Sequence, residues 1–241
     1  MKKYYFLIAV VLIIAVSSCS YMGYISVKPT GEYVTKKLQT GNFENVSVSS
    51  GFELILTQDS NRELSIETYE NTHEYIIVEV EGNTLKIYRK NGINFTRNPN
   101  VKIYLSCNYL NKISSSGGGR INLNNGWSGD ELKISLSGGS KVFGRVRLNS
   151  LFMSMSGGSK SELEGIVGYL TISSSGGSVH KHFSLEAQKC NAAMSGGASA
   201  ELNVSESLKV AGSGGTKVRY KGNPQLSVKL SGGSSVKKAE L

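Results

Sequence analysis

Residues 151–160 read Leu-Phe-Met-Ser-Met-Ser-Gly-Gly-Ser-Lys, and stretches of the same design recur through the second half of the chain. Their Ser-Gly-Gly triplet occurs seven times, at intervals of 18 to 21 residues. The triplets begin at Ser116, Ser137, Ser156, Ser175, Ser195, Ser213 and Ser231. A fixed period near twenty residues is typical of one supersecondary unit that is copied and stacked. The repeat therefore decides the fold.

Apolar residues hold fixed positions before each triplet. The position five before the serine is leucine or cysteine in six copies, and the position three before it is apolar in all seven. The residues between them are mostly polar or small, and this alternation predicts a strand with one face turned inward. The two columns are Leu132, Leu151, Leu170, Cys190, Leu208 and Leu226, and Ile113, Ile134, Met153, Ile172, Ala192, Val210 and Val228.

The paired glycines allow a sharp turn after each strand, because glycine accepts positive φ without a Cβ clash. A second short strand with its own apolar members follows each turn. Two or three short strands per period, with no helical periodicity, predict an all-β fold. The architecture expected is a parallel β-helix whose rungs stack about 4.8 Å apart. A β-sandwich or propeller is the competing architecture.

The chain before the first triplet shows the same pattern in weaker form. Val46-Ser47-Val48-Ser49-Ser50-Gly51 resembles a degenerate copy. Strands are predicted at 52–57, 64–69, 75–80, 85–89 and 101–105. We therefore expect one head domain over residues 41–241, with irregular N-terminal rungs at 41–112 and regular rungs at 113–241. Residues 19–40 are predicted to be a tether or a first strand.

The N-terminus carries a targeting pattern. Lys2 and Lys3 precede an apolar run over residues 4–16, which is too short for a helix to cross a hydrocarbon core of about 30 Å. The run leads into Val16-Ser17-Ser18-Cys19, which resembles the lipobox of bacterial lipoproteins. This predicts a signal peptide at 1–18, lipid on Cys19 and attachment to the outer membrane of the cell envelope, on a side that the sequence leaves open. A plain signal peptide with an incidental cysteine is the alternative.

The formal charge of +9 remains positive after Lys2 and Lys3 are removed. In an exported protein this favours anionic surface partners, and nucleic acid is not expected. Cys107 and Cys190 could pair in an oxidising compartment. Because Cys190 stands in a leucine column, a buried free thiol is preferred to a disulfide.

Several segments together resemble one family. Beside the lipobox and the triplets, these are Phe43-Glu44-Asn45-Val46, Leu85-Lys86-Ile87-Tyr88 and Val101-Lys102-Ile103-Tyr104-Leu105. Over residues 41–237 the chain is similar to the putative auto-transporter adhesin, head GIN domain family. The resemblance implies a single-stranded right-handed parallel β-helix on a secreted or lipid-anchored bacterial protein, and it implies no catalytic residues.

A basic column is the candidate binding site. Four residues after the repeat serine stand Arg120, Lys141, Lys160 and, further along, Lys217. If the rungs stack in register, the first three lie about 5 Å apart, and close like charges favour a bound anion. Nearby Lys133, Arg145 and Arg147 add positive charge. An anionic glycan or lipid headgroup is the functional interpretation, and a solvated face is the alternative.

The remaining polar patterns predict structural roles. The repeat serines are assigned to turns, since serine hydroxyls bond nearby backbone, although a ladder that grips sugars is the alternative. His180 and His182 would face one side of a strand, where they could hold a metal or fill the core. Glu162 and Glu164 are the nearest approach to a catalytic carboxylate pair. We expect no cofactor, no metal and no enzymatic activity.

The sequence as a whole favours an adhesin-like envelope lipoprotein that binds surface glycans or other anionic polymers. A structural or assembly module of the outer membrane with no soluble ligand is the alternative, and a polysaccharide-active enzyme is less favoured. Lys237 and Lys238 on the last rung discourage edge pairing, which predicts a monomer.

Overall fold

The computed structural model describes residues 24–240. Ten strands and one 3-10 helix, Glu70–Tyr75, precede the regular repeats. The strands are β1 Ile25–Val27, β2 Tyr33–Leu38, β3 Asn45–Val48, β4 Glu53–Gln58, β5 Glu63–Tyr69, β6 Ile76–Glu81, β7 Thr84–Arg89, β8 Ile93–Phe95, β9 Lys102–Cys107 and β10 Lys112–Ser115. All five strands predicted upstream of the first triplet are present, with boundaries shifted by one or two residues.

The regular part consists of longer strands. They are β11 Arg120–Leu136, β12 Lys141–Met155, β13 Lys160–Ser174, β14 Val179–Met194, β15 Ser199–Gly212, β16 Lys217–Lys221, β17 Gln225–Leu230 and β18 Ser235–Lys238. The prediction of two or three short strands per period was wrong for β11 to β15, which each run through a whole rung. The strands bend at glycines such as Gly165, which has a positive φ and stays paired with Val146 of the preceding rung. The predicted all-β parallel solenoid is confirmed, with about seven turns.

Two ladders of paired strands run along the solenoid. The serine-side ladder contains the strand segments that end at each Ser-Gly-Gly, and its order is β6-β7-β3-β10, then the second halves of β11 to β15, then β17. The basic-side ladder contains the segments that begin four residues after each repeat serine. It runs from β2 through β5, β9 and β4, then the first halves of β11 to β15, then β16 and β18.

Pairing within the regular rungs is parallel, and antiparallel pairs occur only near the N-terminal end of the described chain, at β2–β5, β5–β9 and β6–β7. Because β2 pairs with β5, the predicted tether contributes a strand to the sheet from Tyr33 onward.

The predicted apolar columns form the core. Leu132 lies opposite Leu151 and Leu151 opposite Leu170, and all three are buried. Burying one such side chain contributes about 1.5–3 kcal/mol relative to leaving it exposed. Cys190 continues this column between Leu170 and Leu208 and is a buried free thiol, as expected. The repeat thus places equivalent side chains at one depth in every rung.

The Gly-Gly corner explains why the triplet is repeated without change. Gly157 has a φ of +67°, and a Cβ built on it would lie 2.7 Å from the carbonyl oxygen of Gly138 in the preceding rung. The next residue, Gly158, donates a 2.7 Å backbone hydrogen bond to that same oxygen. The first glycine is therefore required by both conformation and close stacking.

Candidate functional site

A long concave groove runs along the serine-side ladder. Its volume is about 960 Å³, and it extends from Ser47 on β3 to Ser231 after β17. Hydroxyl groups line it in two columns, because residues two before and at the repeat serine both point outward. The columns are Ser114, Ser135, Ser154 and Ser173, and Ser116, Ser137, Ser156, Ser175, Ser195, Ser213 and Ser231. We call this feature the serine groove.

In the rungs from β10 to β14, the residue before the repeat serine points into the core, so its backbone forms the floor of the groove. Leu136, Met155 and Met194 occupy this position and are all at least 95% buried. Among the described residues that line the groove, Lys229 is the single charged one, and it lies in the last rung. The groove is therefore long, shallow and uncharged over most of its length.

Turn formation is not the role of the repeat serine's hydroxyl, so that expectation was wrong. The hydroxyl of the residue three positions later forms the hydrogen bond across the turn. Ser140 Oγ donates to the Ser137 carbonyl at 2.8 Å, and Ser159 Oγ donates to the Ser156 carbonyl at 2.7 Å. Ser178 and Ser234 make the same contact. The sequence carries a signal for this second serine, because four of the seven triplets read Ser-Gly-Gly-Ser. The buried serine supplies the turn bond, which leaves the repeat serine's hydroxyl on the groove.

The basic column lies on the other side of the Gly-Gly corner. Arg120, Lys141 and Lys160 are opposite one another in consecutive rungs, as predicted from the spacing. Val179 and Ser199 separate Lys217 from these three, so the structure does not bring it into the group.

Neighbouring groups neutralise part of this column. Lys160 Nζ lies 2.9 Å from Glu162 Oε2, and the hydrogen bond from Lys160 lowers the pKa of the Glu162 carboxyl. Glu53 lies opposite Arg120 at the N-terminal end of the column. The Arg120 guanidinium lies 5.2 Å from the centre of the Phe143 ring. Arg120 and Lys141 form no ion pair with the described residues, and the residues opposite Lys141 are the cations Arg120 and Lys160.

Two of the three other cations near the column, Lys133 and Arg145, are also paired. Lys133 lies 2.9 Å from Glu131, and Arg145 Nη2 lies 2.9 Å from Glu164 Oε1. Glu162 and Glu164, the candidate carboxylate pair, are thus each engaged with a cation of a different column. The arrangement suits a charge-balanced surface better than an acid–base pair.

His180 and His182 lie inside the core. Both are fully buried, and Ser161 Oγ lies 3.1 Å from His180 Nδ1 and 2.9 Å from His182 Nε2. Ser174 Oγ adds a contact of 2.8 Å to His180 Nε2. Burial lowers the pKa of His180 to about 4, and burial together with the neighbouring His180 lowers that of His182 well below its usual value. Both imidazoles are therefore neutral and, with the two serines of the preceding strand, form a polar cluster between consecutive rungs.

Other candidate groups are placed as follows. Burial raises the pKa of the Cys107 thiol to about 11 and that of Cys190 to about 12. Within residues 24–240, no three His, Cys, Asp or Glu side chains are arranged to hold a metal ion. No helix in that part of the chain is long and apolar enough to cross a membrane. Cys19 and the predicted signal peptide lie outside the described residues.

Comparison with known families agrees with this geometry. The family model described as putative auto-transporter adhesin, head GIN domain, matches residues 42–224. The chain belongs to that family. The resemblance inferred from the sequence is thereby confirmed, and the head GIN domain covers the irregular rungs as well as most of the Ser-Gly-Gly rungs.

Solved structures share the fold of this head GIN domain. A putative adhesin from Bacteroides fragilis NCTC 9343 matches with a TM-score of 0.82 at 23% identity, over 88% of this chain and all of that one. A putative adhesin from Parabacteroides merdae ATCC 43184 matches with a TM-score of 0.74 at 21% identity, over 89% of this chain and 99% of that one.

A third structure, described as a putative lipid binding protein from Parabacteroides distasonis ATCC 8503, matches with a TM-score of 0.72 at 20% identity, over 90% of this chain and all of that one. At these identities the three structures share the fold. No curated protein matches the chain. The family and two of these three neighbours are described as putative adhesins, a class of cell-envelope or surface proteins.

Proposed function

We propose that this protein is a non-enzymatic, lipid-anchored adhesin of the outer membrane that holds an extended glycan in the serine groove. The observation that carries the proposal is the pair of outward hydroxyl columns that lines a continuous groove of about 960 Å³. Sugars present hydroxyl groups along their whole length, and serine hydroxyls both donate and accept hydrogen bonds.

The repetition of the groove suits a repeating ligand. Rungs about 4.8 Å apart give the seven repeats a length of roughly 30 Å. Each rung offers only a weak polar contact, but contacts that are made by one chain of linked sugars act together and raise the overall affinity. A rigid solenoid also loses little conformational freedom on binding, since its backbone is already held in ladders.

The basic column would serve anionic substituents of the same glycan. Lys141 has free charge for this purpose, whereas Lys160 is paired with Glu162. The basic column therefore has a secondary role in glycan binding, and Lys141 contributes most of it. The residues to which this role is assigned are Arg120, Lys141, Lys160 and Lys217. The lipid proposed on Cys19 would hold the domain close to the membrane, because β1 begins only six residues later, at Ile25.

Blocking the groove tests the proposal. Ser154→Trp and Ser173→Trp place a large side chain in the groove, at exposed positions in consecutive rungs. The matched control is Thr171→Trp, which points outward on the same strand but outside the groove, beside Phe152 of the preceding rung. The probes are a neutral oligosaccharide, cellohexaose, and an anionic one, a heparin hexasaccharide, with binding measured by calorimetry.

We expect each groove variant to weaken binding at least tenfold and the Thr171 control to change it less than twofold. Lys141→Glu should weaken the heparin probe and leave cellohexaose unchanged. Equal binding by the groove variants and the control would contradict the groove, and unchanged heparin binding by the Lys141 variant would contradict the basic column. If neither probe binds at millimolar concentration, glycan binding in the groove is wrong. Loss of the protein from the membrane fraction in Cys19→Ser tests the anchor.

A further inference from the structure

The two ends of the solenoid differ in how their strands are covered. At one end of the serine-side ladder β6 covers the edge of β7, and at the other end no strand of the described chain pairs with the outer edge of β17. In the rung before β17, Leu208 and Val210 are at most 3% exposed. The equivalent Leu226 and Val228 are 43% and 38% exposed. The apolar interior is therefore open at β17.

The end strands β7 and β17 occupy the same columns. The strand pairing can be followed from β7 through β3 and β10 to β17. Along this path, Leu85 shares a column with Val228, Lys86 with Lys229, and Ile87 with Leu230. Thr84-Leu85-Lys86-Ile87 is thus equivalent to Ser227-Val228-Lys229-Leu230. Both β7, which lies under β6, and β17, which lies at the other end of the ladder, have the pattern aliphatic–lysine–aliphatic, and their aliphatic side chains point inward.

The chain itself shows what covers such a strand. β6 reads Ile-Ile-Val-Glu-Val-Glu and runs antiparallel to β7, with Val80 opposite Leu85, Glu79 opposite Lys86 and Val78 opposite Ile87. Leu85 and Ile87 are fully buried under this cover. Outside the sheet, Lys86 forms an ion pair with Glu81. The alternation of valine and glutamate in β6 therefore does three things: it pairs with the backbone edge of β7, covers the apolar side chains of β7 and forms an ion pair with its lysine.

The charge around β17 calls for the same chemistry. Residues 217–240 contain six lysine or arginine residues and one acidic residue, Glu240. Lys237 and Lys238, from which a monomer is predicted, lie on β18 of the other ladder and do not block the edge of β17. Lysine on an edge strand discourages pairing with a neutral or basic strand, but its positive charge attracts an acidic strand.

We propose that the edge of β17 is a docking site for an extended segment of a partner protein whose side chains alternate between aliphatic and acidic. The segment adds an antiparallel strand to the ladder, so that its aliphatic residues cover Val228 and Leu230 and its acidic residue lies opposite Lys229. Backbone hydrogen bonds along the edge supply affinity, and the alternation supplies specificity, as in other cases of strand addition. The docking edge adjoins the last rung of the serine groove, where Lys229 and Leu230 line both surfaces, but it does not require glycan binding.

Peptide binding to the full chain tests the docking site. The probes are fluorescein-labelled, end-capped peptides: Ile-Ile-Val-Glu-Val-Glu, which copies β6, and Ile-Ile-Val-Lys-Val-Lys, which reverses its charge. We expect fluorescence anisotropy to show at least tenfold tighter binding of the acidic peptide. Lys229→Glu should reverse this preference, so that the basic peptide binds tighter to the variant.

The matched control is Lys209→Glu, which makes the same charge change one rung earlier, on a strand whose two edges are both paired. It should leave the preference for the acidic peptide within twofold of the unaltered protein. Equal binding of the two peptides, absence of binding at millimolar concentration, or the same response to both substitutions would overturn the proposal. Sedimentation that shows a dimer disrupted by Lys229→Glu would also overturn it, because a second copy would then occupy the edge.

Discussion

Ser161 and His180 occupy the same core column in consecutive rungs, and Ser161 Oγ lies 3.1 Å from Nδ1 of the imidazole. The other members of this column include Ile121, Val142, Ala200 and Val218, which are apolar or small. Two consecutive rungs thus have a hydrogen-bonded polar cluster where the other rungs have apolar or small side chains. Within this cluster, the Nδ1 atom of His182 has no hydrogen-bond partner among the described residues. Protonating either imidazole would place a charge in the core without a carboxylate to balance it.

This cluster predicts a loss of stability in mild acid. An unfolded histidine has a pKa of about 6.5, whereas that of His180 in the folded protein is about 4, so the unfolded chain binds more protons between these values. Stability therefore falls as the pH drops through this window, by about 3 kcal/mol from His180 alone. Urea unfolding of the protein at pH 7.5 and pH 4 measures the loss.

The double substitution His180→Val and His182→Leu, which restores the residue types of neighbouring rungs, isolates the effect. Carboxylates titrate alike in both proteins, so the variant should lose about 3 kcal/mol less than the parent over the same pH range. An equal loss in the two proteins would show that the imidazoles do not cause the acid sensitivity.

A second prediction concerns the bend within the long strands. Gly165 has a φ of +115°, and a Cβ placed on it would lie 2.0 Å from the Val146 carbonyl oxygen of the preceding rung. Gly165→Ala should therefore lower the free energy of unfolding by at least about 2 kcal/mol.

The comparison for this bend is Gly177→Ala. A Cβ at Gly177 would make only an ordinary contact, 3.8 Å from the Gly157 carbonyl oxygen. Thermal and urea unfolding should place this variant within about 1 kcal/mol of the parent protein. Similar losses in both variants would mean that the bend is not set by the close approach of the backbones.

The turn hydroxyls give a third prediction. Ser159 is buried and its Oγ donates to the Ser156 carbonyl at 2.7 Å, so Ser159→Ala should cost about 0.5–1.5 kcal/mol. Ala198 holds the same position in another rung, which shows that the column accepts alanine and that the variant should fold. Ser156→Ala removes a hydroxyl from the groove and should change the unfolding free energy by less than about 0.5 kcal/mol. A larger loss for Ser156→Ala than for Ser159→Ala would reverse the assignment of the two serines.

The solenoid, its period and its inward columns could all be predicted from the amino-acid sequence. A rung can stack on the next only if equivalent residues point inward at each level, so repetition in sequence fixes register in space. The positions of Leu132, Leu151 and Cys190 in one column, and the alignment of Arg120 with Lys141 and Lys160, followed from spacing alone. Family membership followed from the same repeated segments.

Which side chains remain available for binding depends on contacts between rungs, which the sequence pattern does not reveal. The ion pair of Lys160 with Glu162, and that of Arg145 with Glu164 in the next rung, remove charges that the column alone would count as free. The turn bond comes from Ser159 rather than Ser156, because the Gly-Gly corner turns the later hydroxyl inward. The exposure of Val228 is likewise invisible in a repeat of like strands, since it depends on whether another strand lies beyond the last one. The period of the sequence makes the rungs equivalent in structure. Contacts between rungs and at the ends of the solenoid determine which side chains of a rung are free to bind a partner.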